Sequence, residues 1–174
     1  MLVRVARPAD ASAVETIRVH GWQAAYRGLL PVRELDSMTI DPSAWALRLE
    51  RPPPGWTTFV AEREGVIVGF ASLGPSRDEE GVGELYAIYV APAEWSTGAG
   101  RALIRRAEDR LSLKYDVATL WVLAGNDRAR RFYERAGWVQ DGAVKTERRW
   151  GAPSVEVRYR KRLAPPDRSG EAGR

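Results

Sequence analysis

A chain of 174 residues, 44% hydrophobic and 29% charged, is sized for one soluble globular domain with its own core and is short for two. It has no cysteine and a single histidine, His20, which excludes disulfides, thiolate nucleophiles, histidine triads and multi-histidine metal sites, so no metal is expected and proton transfer falls to carboxylates, tyrosines or water. The net charge of +4 gathers between Lys145 and Arg162, where seven Lys or Arg face only Glu147 and Glu156.

No stretch has the apolar length of a bilayer span and the N-terminus lacks a signal-peptide layout, so no membrane partner is expected and the expected location is the cytoplasm. Leu2 to Ala6 reads as a first strand entering Arg7-Pro8-Ala9-Asp10, where Asp10 is placed to cap a helix. Ala13, Val14, Ile17 and Gly21 then follow helical spacing, with Trp22 and Tyr26 behind them. Asp41-Pro42 starts a second helix near Ser43 to Glu50, and Pro52-Pro53-Pro54-Gly55 ends it. Thr57 to Glu62 and Val66 to Leu73, about Glu64-Gly65, have the pattern of a hairpin. Pro75 to Gly81 is a polar, acidic loop expected to be mobile. Glu84 to Val90 has few charges and reads as a central strand.

Pro92 ends that strand by lacking a donor, and Ala99, Leu103, Ala107 and Leu111 then fall at four-residue spacing along one helical face. The junction leaves the amides of Ser96 to Arg101 without helical acceptors and aims them, with the positive end of the helix dipole, at whatever sits above the turn. A pair of linked phosphates suits such a row. Gly98 and Gly100 keep side chains from holding the phosphates off the backbone. A Walker loop is excluded because Arg101-Ala102 follows Gly100, and a dinucleotide fingerprint because Leu103 stands where its third glycine belongs.

Ala118 to Val122 reads as another buried strand. Asn126 then caps a short helix with the stripe Ala129, Phe132, Tyr133 and Ala136, ended by Gly137. Two last strands fall at Trp138 to Val144 and Ser154 to Leu163. The alternation Val155-Glu156-Val157-Arg158-Tyr159-Arg160 puts the basic excess on the solvated face of a half-buried strand rather than on a nucleic-acid surface. One domain over residues 1–163 and a disordered tail over 164–174 follow.

Trp95-Ser96-Thr97-Gly98-Ala99-Gly100 resembles the pyrophosphate arm Q/R-x-x-G-x-G/A of the GNAT superfamily of N-acetyltransferases, departing only at Trp95. Asn126 to Trp138 resembles the N-x-x-A-x-x-F-Y-x-x-x-G-F/W segment that follows the arm in those enzymes. The resemblance covers residues 1–163. It implies an α/β (α+β) fold, a mixed sheet of about seven strands with splayed central strands and about four helices.

It further implies acetyl-CoA as co-substrate, held by Trp95, Ser96, Thr97, Gly98, Ala99, Gly100 and Arg101, with the edge of Ile88, Tyr89 and Val90 pairing the pantetheine arm. Asn126 would bind the same arm, serve as a helix cap, or both. Tyr133 would touch the cofactor and act as general acid, against the alternative of a core aromatic. Glu84 would act as general base, directly or through water, against the alternative of a strand-end charge. The Trp22 to Pro31 stretch looks like the acceptor side of one bacterial branch, so Trp22, Tyr26 and Glu84 would line the acceptor pocket. The implied reaction is direct acetyl transfer in a ternary complex to a primary amine, on a small molecule or a peptide. A non-catalytic coenzyme A-binding module remains the alternative, and a homodimer is left open.

Overall fold

The computed structural model describes residues 1–165, so most of the expected tail, residues 166–174, lies outside the described residues. Seven strands, β1 (Leu2–Val5), β2 (Thr57–Arg63), β3 (Val66–Pro75), β4 (Gly83–Val90), β5 (Val117–Leu123), β6 (Val139–Arg149) and β7 (Ala152–Arg162), join in one sheet of order β1-β2-β3-β4-β5-β7-β6. All neighbours run antiparallel except β4 and β5. A parallel pair needs a crossover, which α4 (Ala99–Ser112) supplies.

Ser72 of β3 faces Ala87 of β4, but Leu73 faces Leu85, so Tyr86 is the extra residue of a bulge. A bulge bends its strand and increases the local twist. Just before it, β4 pairs with β5 only at Gly83 with Ala118 and Glu84 with Thr119. Beyond Glu84 the two central strands separate.

The sheet is covered on both faces. Ala99, Leu103, Ile104, Ala107 and Leu111 form the buried stripe of α4 and pack on Phe59, Ala71, Leu85 and Leu120, together with Tyr133 of α5 (Asp127–Arg135). On the other face, Val14 and Ile17 of α1 (Ala11–Ala25) and Trp45 of α3 (Ser43–Glu50) pack on Val60 and Phe70. Along β4 the side chains alternate accordingly: Ile88 and Val90 join the α4 cluster, Ala87 and Tyr89 the α1 cluster. A smaller cluster of Leu30, Leu35 and Leu123 seats α2 (Val32–Asp36) beside Trp22 and Tyr26.

The described residues hold five α-helices, one more than expected. The addition is α2, whose five residues are too short for a periodic pattern to stand out. Asp10 does not cap α1 by its side chain; its carboxylate instead accepts from the Arg7 amide and from two Arg4 nitrogens. The loop after β3, expected to be mobile, is tied down: Trp121 Nε1 donates to Asp78, and Glu79 pairs with both Arg158 and Arg160. That pairing also absorbs part of the basic face of β7. No helix among the described residues is long and apolar enough to cross a membrane.

Leu103 is fully buried at the centre of the α4 stripe. Leu103→Ala is expected to cost about 2–5 kcal/mol of unfolding free energy in urea denaturation. A loss within 0.5 kcal/mol, the scale of an exposed position, would contradict this packing.

Candidate active site

The wedge between β4 and β5 opens into a cleft of about 1070 Å³. Leu85 to Val90 line one side of the wedge and Trp121 to Leu123 the other. With no β5 partner past Glu84, β4 presents a stretch of free strand edge to the cleft.

At the end of β4 the chain passes through a 3-10 turn at Pro92–Glu94 and reaches α4 through Gly98, whose φ of 94° only glycine adopts without strain. The amides of Ser96, Gly98, Ala99, Gly100 and Arg101 have no acceptor among the described residues, whereas that of Thr97 reaches the Glu94 carbonyl at 3.4 Å. Ser96, Gly98, Gly100 and Arg101 line the cleft, and Thr97 and Ala99 do not. Ala99 is buried under the helix. Arg63 braces the turn from outside, donating to the Thr97 carbonyl at 3.2 Å. Gly100 also has a packing reason: a Cβ there would lie 3.3 Å from the Phe132 ring, so the glycine lets α4 approach α5.

Trp95 closes the end of the strand, its indole Nε1 donating to the Val90 carbonyl at 2.9 Å. Arg128 of α5 lies over the same ring, its Cζ 3.5 Å from the centroid. Burial disfavours the charged form of this guanidinium, and no carboxylate among the described residues pairs with it. The side chain expected at position 95 in the family pattern, Gln or Arg, is thus replaced by an indole that carries an arginine from another element.

Asn126 caps α5, its Oδ1 accepting from the Ala129 amide at 3.1 Å. Its amide NH₂ has no partner among the described residues, and the residue lines the cleft. One side chain therefore has both a cap and a spare donor. Tyr133 follows two turns along, nearly buried yet lining the cleft. Its hydroxyl has no hydrogen-bond partner among the described residues. Burial, and next the nearby Tyr89, push its pKa well above the usual phenol value, so it stays protonated at neutral pH.

The side chain of Tyr89, expected only as strand edge, turns to the α1 side. Its hydroxyl accepts from Trp22 Nε1 at 2.9 Å and shares a 3.0 Å hydrogen bond with Tyr26. Trp22, Tyr26, Tyr89 and Tyr133 thus come together where the strands part. Burial raises the pKa of Tyr26 and Tyr89 too.

Glu84 is a correction. It is fully buried, does not line the cleft, and has both oxygens taken by Arg77: the amide at 2.9 Å on Oε2, and Nε at 3.1 Å with Nη2 on Oε1. Buried, ion-paired and off the cleft wall, this carboxylate is not placed to take a proton from an amine bound in the cleft. It instead ties the loop after β3 to the last residue of β4 that pairs with β5. Sequence reading missed its partner because the ion pair exists only once the loop turns back on the strand. It also missed Arg48, Trp56 and Tyr86, which line the cleft from α3, the start of β2 and the bulge.

A family model described as Acetyltransferase (GNAT) family matches residues 19–138. The chain is 35% identical over 130 residues to the uncharacterised N-acetyltransferase YuaI of Bacillus subtilis, covering 71% of this chain and 72% of that one. It also resembles the crystal structure of a ribosomal-protein-alanine N-acetyltransferase from Brucella melitensis, with a TM-score of 0.73, 29% identity, and coverage of 94% of this chain and 100% of that one. The fold is shared by yncA of Salmonella typhimurium, solved with acetyl-CoA, at a TM-score of 0.74, 22% identity, and 94% coverage of each chain. The chain belongs to the GNAT acetyltransferase family and is an acyltransferase.

Five of the six tyrosines, Tyr26, Tyr86, Tyr89, Tyr133 and Tyr159, are shifted upward, each chiefly by burial. Below pH 10, the usual phenol value, folded and unfolded states are both protonated and stability is unaffected. Above it the unfolded chain ionises first, so stability should fall as pH rises. Ultraviolet titration should show phenolate absorbance rising together with loss of the folded circular-dichroism signal. Full tyrosine ionisation near pH 10 in a folded protein would contradict the burial.

Proposed function

We propose that the cleft binds acetyl-CoA and passes its acetyl group to a primary amine by direct transfer in a ternary complex. One coincidence carries this reading: the unspent amides of Ser96, Gly98, Gly100 and Arg101, a free strand edge at Ile88 to Val90 and a partnerless phenol at Tyr133 all border the same cleft. The amides and the α4 dipole suit a diphosphate, with Arg128 adding a cation from the facing helix. The strand edge suits the amide groups of a pantetheine arm, bound as an added strand. The spare NH₂ of Asn126 suits a carbonyl on that arm.

Bound acetyl-CoA supplies an acetyl group activated as a thioester. Tyr133 holds a proton at its hydroxyl and offers it to the departing sulfur. A phenol of raised pKa keeps that proton until negative charge develops beside it, which is the behaviour wanted of a late donor. With Glu84 spent on Arg77, the amine proton leaves to water. An alkylamine with a pKa near 10.4 is neutral in roughly one molecule in 2,500 at pH 7, and the positive wall of the cleft favours that neutral form. A small-molecule amine and a peptide amine both fit a cleft of this size.

Tyr133→Phe should lower kcat by about 10²–10⁴ while leaving coenzyme A affinity, read by calorimetry, near wild type. Unchanged turnover would remove the phenol from the reaction. Arg128→Ala should weaken coenzyme A binding several-fold, and less so at high salt, where screening already dulls the charge. An unaltered affinity at low salt would rule out a phosphate contact.

A further inference from the structure

The α1 and α3 side of the cleft carries Arg18, Arg48, Arg77, Lys145 and Arg149. Four of these are matched: Arg18 with Glu15 at 2.6 Å, Arg77 with Glu84, and Lys145 and Arg149 with Glu156 at 3.2 and 2.7 Å and with Glu147 at 3.5 Å each. Arg48 has neither a carboxylate within ion-pair distance nor a hydrogen-bond acceptor among the described residues. It is the uncompensated charge of that wall.

It is exposed to solvent and lies against two indoles. The guanidinium lies 5.0 Å from the Trp45 ring and 5.6 Å from the Trp56 ring. Trp56 in turn stacks on Tyr86 at 4.1 Å and 29°, and the Tyr86 hydroxyl donates to the Pro75 carbonyl. Arg77 packs on the far side of that tyrosine, 5.1 Å from its centroid. Contact with aromatic rings uses the faces of a guanidinium and leaves its in-plane donors unspent. The same arrangement places Arg128 on Trp95 at the phosphate end. A planar fork with free donors, held beforehand, suits a carboxylate.

We infer that Arg48 receives the anionic group of the acceptor, so that the acceptor is an amine that also carries a carboxylate remote from the reacting nitrogen. This rests on the acetyl-transfer reading. Transfer takes place near Tyr133 and Tyr89, whereas the Arg48 ladder is anchored at Tyr86. The strand from Tyr86 to Tyr89 spans roughly 10 Å. That is well beyond the spacing of amine and carboxylate in an α-amino acid, and it calls for a body of several bonds between the two groups.

The test compares matched acceptors that differ only in charge: para-(aminoethyl)benzoate with its primary amide, and omega-aminooctanoate with its primary amide. For at least one pair, wild-type kcat/KM should favour the carboxylate by roughly 10- to 100-fold, the range of a charge-assisted hydrogen bond. In Arg48→Met, whose side chain still covers both indoles, that ratio should collapse towards one, mainly through KM. Arg48→Lys should retain part of it, since the charge stays and the fork is lost. Thermal melting and coenzyme A calorimetry on each variant separate a binding loss from misfolding. A wild-type enzyme without carboxylate preference in either pair, or a preference that survives Arg48→Met, overturns the assignment while leaving acetyl transfer standing. Failure of the wild-type protein to bind coenzyme A would instead bring down both.

Discussion

The parallel contact between β4 and β5 stops at Glu84 and Thr119, and the cleft exists because it does not continue. A sheet interior normally satisfies every backbone N–H and C=O through its neighbours, so parting two central strands leaves polar groups that need another partner. The bulge at Tyr86 turns β4 away, and the pairing of buried Glu84 with the exposed Arg77 holds the last joined residue in place. Trp95 closes the far end by taking up the Val90 carbonyl. Between these two limits lies the free edge on which the proposed cofactor would lie.

The cleft carries a guanidinium held against an indole at each end. Arg18, Arg77, Lys145 and Arg149 are each paired with carboxylates. Arg128 and Arg48 lie against indoles instead. Contact between a guanidinium and a ring orients the cation without neutralising it, so each remains able to meet an anion. One stands near the unspent amides at the start of α4, the other beyond the cluster of Trp22, Tyr26 and Tyr89.

Much of this could be read from local chemistry. Pro92, Gly98 and the stripe from Ala99 to Leu111 mark the strand-to-helix junction, because each acts on its own few residues. Asn126 and the Ala129-to-Gly137 stripe mark α5 for the same reason. What escaped the sequence depends on register and on return of the chain. The bulge at Tyr86 comes from pairing with β3, the occupation of Glu84 from the loop carrying Arg77, and the placement of Arg48 in part from Trp56, outside its own helix. Asp10 illustrates the same limit, since its capping oxygen is drawn off by Arg4 of the adjacent strand.

The most direct test follows individual amides by two-dimensional ¹⁵N nuclear magnetic resonance as coenzyme A is added. The account predicts that the resonances of Ser96, Gly98, Gly100 and Arg101, and those along the free edge from Ile88 to Val90, shift and gain protection from hydrogen exchange. Binding that leaves these amides unchanged and perturbs another face of the sheet would contradict it.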